Sequence, residues 1–151
     1  MTHEEEIRYL ILGAQREGNR VLTTLLAPLD VTPSQAEVLH CLAEAGPLSL
    51  NALGRRLVCE SGSPSRLVST VVDRGWVERR EDALDRRQVT LALTRDGIEM
   101  ERAIRGVEEH LHAWIGTQLS TAEIASVARV LGKLLRGTAA GKAIEQRTRA
   151  T

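Results

Sequence analysis

Between residues 75 and 94 the periodicity of the chain changes, and that change limits the fold more than any other feature. Up to Gly75 apolar residues recur at helical spacing; at 76–80 and 88–93 they alternate with polar ones, the pattern of half-buried strands. The two strands flank Glu81-Asp82-Ala83-Leu84-Asp85-Arg86-Arg87, a polar stretch that reads as a hairpin loop. Helical spacing resumes after Thr94. Such a chain must set one small β-hairpin into an otherwise helical protein.

The helices are bounded by explicit signals. Residues 4–26 carry Ile7, Leu10, Ile11, Ala14, Val21, Leu22 and Leu25 on one stripe, with Gly18 a soft spot and Pro28 the stop. Thr32-Pro33-Ser34-Gln35 combines an N-cap, a proline at the first helical position and a capping-box glutamine. It opens a helix with Ala36, Val38, Leu39 and Leu42 that Gly46-Pro47 ends. Ser49 caps a short third helix with Leu50, Leu53 and Leu57 inward. After a turn at 58–60, Ser61-Gly62-Ser63-Pro64 starts a fourth, with Leu67, Val68, Val71 and Val72, closed by Gly75 as its left-handed terminator. Two short helices across a tight turn within 49–75 have the length and pattern of a helix-turn-helix. With the hairpin behind them, the unit is a winged helix. Thr94 then caps a long helix with Ile98, Ala103, Ile104, Val107, Leu111, Trp114 and Ile115. Ser120-Thr121-Ala122-Glu123 is a further capping box, ahead of Ile124, Val127, Leu131, Leu134 and Leu135.

Composition narrows the function. A chain of 151 residues suits one domain, 1–151. With no Phe, one Tyr and two Trp, its core must be aliphatic, and it lacks the stacking platforms that single-stranded nucleic acids require. The formal net charge is zero, but eight arginines against six acidic residues leave 53–90 at +2. The N-terminus is acidic, without a basic-then-apolar leader, and no apolar run reaches a membrane span, so a cytoplasmic protein is expected. Cys41 and Cys59 fit neither a structural disulfide nor a zinc motif. No nucleophile elbow, phosphate-cradling glycine loop, metal-ligand run or cofactor motif is present. The expectation is a protein that is not an enzyme and uses no cofactor or metal.

The stretch from Asp85 to Gly97 resembles the wing of the MarR family of transcriptional regulators. That family's pattern, D-x-R, an alternating strand and L-T-x-x-G, is met by Asp85, Arg87, Leu91, Leu93, Thr94 and Gly97. Residues 67–77 are similar to the family's recognition helix and its exit into the wing, and Thr32-Pro33-Ser34-Gln35 with Val38-Leu39 to the opening of its second helix. The resemblance runs from the first helix to about Arg136. It implies a mainly α fold with a small β-hairpin wing: a winged helix-turn-helix lobe at 32–94 and dimerisation helices at 4–27 and 95–136. The apolar stripes of those outer helices exceed what a winged helix needs. A two-fold homodimer would read an inverted repeat in double-stranded DNA, with half-sites about one turn apart. Residues 137–151, small and polar, are expected to fray. Two departures stand out: Pro64 lies early in the recognition helix, and Arg80-Glu81-Asp82 makes the wing stem partly acidic.

Ser63, Ser65, Arg66, Ser69 and Thr70 supply donors at the reading end of the recognition helix, where Arg66 can take a guanine bidentately. By resemblance Arg87 enters the minor groove, with Asp85 holding its guanidinium fork. Arg86, with Arg55, Arg56, Arg79 and Arg80, can neutralise phosphates. The plain alternative for each is a solvated charge. The resemblance also implies a repressor released by a small organic effector, for which Arg16, His40 and Trp114 are the candidate pocket residues. Oxidation of Cys59 or Cys41 is an alternative sensor. Zinc is another: His110 and His112 point to different helix faces, and His40, Glu37, Glu108 and Glu109 could meet only across helices. A competing function is a winged-helix protein–protein module without DNA binding, which the neutral net charge favours.

Overall fold

The computed structural model describes residues 1–59, 64–81 and 89–148. Helix α1 (His3–Leu26) begins at a capping box between Thr2 and Glu5 and runs unbroken past Gly18. It ends in a 3₁₀ turn, Ala27–Leu29, that contains Pro28 and exits through Asp30 in the left-handed region, φ 53°. Helix α2 (Pro33–Ala45) opens on the anticipated Thr32–Gln35 capping box with Pro33 at its first position. Short α3 (Leu50–Gly54) is capped by Ser49, and α4 (Pro64–Asp73) follows. Gly75 (φ 73°) terminates α4: its N–H donates to the carbonyl of Val72, and that of Trp76 to Val71.

Strands β2 (Val77–Glu81) and β3 (Val89–Leu93) pair antiparallel, Val77 opposite Leu93 and Arg79 opposite Leu91. A third strand, β1 (Leu48–Ser49), joins the far edge of β3 to give the order β1-β3-β2. The sequence pattern missed it because two residues cannot show a period. Helix α5 (Arg95–Gln118), capped by Thr94, and α6 (Thr121–Leu135), opened by the Ser120–Glu123 capping box, complete the predicted set.

The core lies between α2, α4, the sheet and the inner faces of α1 and α5. Leu26, Val38, Leu39, Leu53, Val68, Val71, Val77 and Ile104 are all buried there. Alternation on β3 turns Leu91 inward, and the helical stripe of α4 turns Val68 and Val71 inward. Helix α6 differs: none of its residues is buried, and Ile124, Val127, Val130, Leu131 and Leu134 face solvent in the single chain.

The expectation that 137–151 frays is corrected as far as residue 148, because Ala139–Thr148 form helix α7. The small residues that suggested fraying are its packing surface. Thr138 caps it by accepting from the N–H of Gly141, whose hydrogen side chain rests on the Leu135 carbonyl; a Cβ there would lie 2.1 Å from that oxygen. Ala143 is buried, and Arg147 reaches back to α2.

One glycine of the wing motif has a comparable role. A Cβ on Gly97 would sit 1.9 Å from the carbonyl oxygen of Trp76, and backbone cannot yield as a side chain can. Gly97→Ala is therefore expected to destabilise the fold by at least about 3 kcal/mol, the upper end for overpacking. Urea denaturation of the variant checks this; a shift no larger than that of Gly106→Ala on the same helix, where nothing lies within 4 Å, would contradict it.

Candidate nucleic-acid interface

Helix α4 is amphipathic in the way a reading helix must be. Val68 and Val71 are fully buried and anchor it to the core, while Arg66 and Thr70 lie on the exposed side and Ser65 and Ser69 are half-buried. The Ser69 hydroxyl donates to the Ser65 carbonyl at 2.9 Å. Thr70 donates to the Leu67 carbonyl (2.7 Å) and accepts from the amide of Gln35 (3.2 Å), which ties α4 to the first turn of α2. The predicted residues Ser63, Asp85, Arg86 and Arg87 lie outside the described residues.

The rear of α4 is clamped by a group the sequence reading did not single out. Arg74 donates to the Asp30 carboxylate (2.8 Å) and to the Asp30 carbonyl (3.1 Å), and its guanidinium stacks 4.3 Å from the centre of the Trp76 ring. Of the proposed phosphate neutralisers, Arg55 and Arg79 are exposed. Arg80 is paired with Glu78 on its own strand, and Arg56 donates to the Gln146 carbonyl of α7.

Below this surface α2, α5 and α7 meet in a cluster of charge. His40 is buried with Nδ1 3.0 Å from Glu101 Oε1. Its Nε2 lies 2.9 Å from Glu108 Oε2, at ion-pair distance but off the line of a hydrogen bond. Arg105 pairs with Glu101. Burial works against a charged imidazole, yet the carboxylates of Glu108 and Glu101 outweigh it and hold the His40 pKa above its ordinary 6.5. The same pairing holds Glu108 below the usual carboxylate value despite its burial. Next to it, Glu37 accepts from the backbone N–H groups of Val58 and Cys59, both at 2.8 Å. Arg147 grips Glu44 through two nitrogens at 3.1 Å and reaches Glu37 at 3.3 Å.

The cluster floors a cleft of about 380 Å³ edged by Leu22, Leu111 and Pro33. The three candidate effector residues are not brought together: His40 lines this cleft, Trp114 lines a separate apolar hollow with Val21, Leu25 and Leu111, and Arg16 lines neither. Helical spacing placed each on its own helix and could not say how the helices rotate against one another. The cysteines are poor thiolates. Burial pushes Cys41 up to about 11, and burial together with the Glu37 carboxylate does the same for Cys59. Among the described residues no group of three or more His, Cys, Asp or Glu side chains is arranged to hold a metal, and no helix is long and apolar enough to cross a membrane.

This geometry defines a class, the winged-helix proteins that present one helix and a hairpin to duplex DNA. The sequence profile of the MarR family matches residues 31–89. The multiple antibiotic resistance protein MarR of Salmonella typhimurium is 30% identical over 127 residues, 83% of this chain and 88% of that protein. The chain therefore belongs to the MarR family and is a DNA-binding transcriptional regulator, not an enzyme. Among solved structures it superimposes on a mutant of MarR from Escherichia coli complexed with operator DNA, with a TM-score of 0.78 and 28% identity, over 89% of this chain and 99% of that one. An organohalide-sensing transcriptional regulator in its 2,4-dichlorophenol-bound form shares the fold at a TM-score of 0.81 and 21% identity, over 92% and 83% of the two chains.

The pKa directions set a pH dependence. His40 is raised in the folded state, so its contribution to stability is full below 6.5 and is lost as pH climbs through the raised folded value. Glu108 is lowered, so its share is present above 4.5 and lost as pH falls through its folded value. The gap in Tm between wild type and His40→Gln should thus be widest near pH 6 and shrink on going to pH 9. Melts across that range test it, and a gap independent of pH would show that the imidazole is neutral.

Proposed function

We propose that the protein is a homodimeric repressor, acting in the cytoplasm, that grips an inverted-repeat operator and releases it when a small organic molecule binds. The observation that carries DNA reading is α4 itself, locked to the core by Val68 and Val71 with Arg66 facing solvent at its N-terminal half. Arg66 reads a guanine edge, Ser63, Ser65, Ser69 and Thr70 contact phosphate or base, and Arg87, oriented by Asp85 and flanked by Arg86, enters the minor groove. Dimerisation is supported by the five exposed apolar residues of α6 and by Ile7, Leu10 and Ile11 on α1, too much apolar surface for a lone helix pair to leave in water. Two copies would also compensate for the weak positive charge of one lobe.

The effector site we assign is the His40 cleft, where α1 and α5 of the dimerisation part meet α2 of the DNA-binding lobe. Its apolar rim of Leu22 and Leu111 suits a small ring. A relative of the same fold in a 2,4-dichlorophenol-bound form supports a ligand of that class. The high thiol pKa values of Cys41 and Cys59 disfavour redox release.

Fluorescence anisotropy on the DNA upstream of the protein's own gene, at two salt concentrations, tests the reading. Wild type should bind tightly and lose affinity steeply with salt. Arg87→Ala should weaken binding across sequences. Arg66→Ala should cost about 1–3 kcal/mol and relax preference at one base pair. Absence of binding by folded wild type on several upstream fragments would instead favour the protein–protein module, to which the zero net charge lends some support.

A further inference from the structure

Helix α7 is tied to the DNA-binding lobe by polar contacts. Its Arg147 holds Glu44 and Glu37 of α2, and Glu37 in turn receives the N–H groups of Val58 and Cys59, six and five residues ahead of Pro64, the first residue of α4. A second tie runs from Arg56, in the turn after α3, to the Gln146 carbonyl of α7. Glu37 is the hub, and its side chain is only 7% exposed. A carboxylate so withdrawn from water needs partners for its charge. With the two backbone donors it lacks a counter-charge, which Arg147 supplies.

We propose that Arg147 is a positioning residue for DNA recognition, and that α7 braces the entrance to the recognition helix through Arg147, Glu37 and the amides of Val58 and Cys59. Reading of the operator depends on where α4 starts, and Pro64 offers no N–H of its own to fix that start. The brace fixes it from behind. Loss of the guanidinium leaves Glu37 as a buried, uncompensated carboxylate. It then turns outward, which weakens its acceptance from the two amides. Arg147 does not touch DNA in this scheme; it acts on the helix entrance through Glu37.

This inference rests on the operator-binding reading, so its test has an arm that needs no DNA. In full-length protein, Arg147→Met, Arg147→Lys, Glu37→Gln and the Arg147→Met/Glu37→Gln double variant are compared by operator anisotropy and by amide hydrogen exchange of Val58 and Cys59. Arg147→Met should bind operator about tenfold more weakly, the scale of one lost charge-assisted hydrogen bond, with both amides exchanging faster. Arg147→Lys, which keeps the charge, should recover most of the affinity and protection. The double variant should bind no worse than Glu37→Gln alone, since both changes cut one path. Wild-type affinity and protection in Arg147→Met, or losses that multiply in the double variant, would overturn the brace. Should Arg147→Met fail to fold, the rescue is read from Arg147→Lys against Glu37→Gln by the same two measurements. If wild type binds no operator, the DNA-release reading falls while the exchange arm still decides the brace.

Discussion

The structure turns on the junction between the end of α4 and the start of α5. Thr94 makes three bonds there: its N–H donates to the Trp76 carbonyl, its hydroxyl donates to the Gly75 carbonyl, and the same oxygen accepts from the N–H of Gly97 as the N-cap of α5. Gly97 lets α5 come down onto the Trp76 carbonyl, an approach any side chain would block. Arg74 completes the joint from the other side by linking Trp76 to Asp30. The recognition helix, the wing and the long outer helix are thereby set at one angle by six residues.

A second connection, made of charge, runs beneath it. His40 between Glu101 and Glu108, and Glu37 between Arg147 and two backbone donors, join α2 to α5 and to α7. Buried ion pairs are weak sources of net stability because desolvation offsets most of their attraction. They are strong sources of specificity, because breaking one leaves a charge with no solvent to turn to. The lobe that reads DNA is thus registered against the helices that carry the apolar surface, and the cleft between them has these charges as its floor.

Much of the architecture was legible because it depends on local chemistry. The capping boxes at Thr32 and Ser120, the glycine at 75 and the change of period into β2 and β3 each involve residues within a few positions of one another, so sequence spacing and spatial contact coincide. Strand β1 escaped because two residues carry no period, and α7 because Gly141 and Ala143, read as part of a small, polar tail, are small for the sake of contact. At the interface, the exposed side of α4 with Arg66 could be anticipated from amphipathicity alone. The division of the effector candidates could not be: Arg16, His40 and Trp114 stand on three helices whose relative rotation depends on packing.

The sequence by itself determined the kind and order of elements, the position of the reading helix and its exposed arginine, since each follows from the intrinsic preferences of short segments. Tertiary structure decided the long-range pairs: Arg74 with Asp30, His40 with Glu101 and Glu108, Arg147 with Glu37 across 110 residues. Such pairs have no sequence period. The buried ones among them form only once the apolar faces have docked and excluded water, because in solvent the same charges would gain almost nothing by meeting.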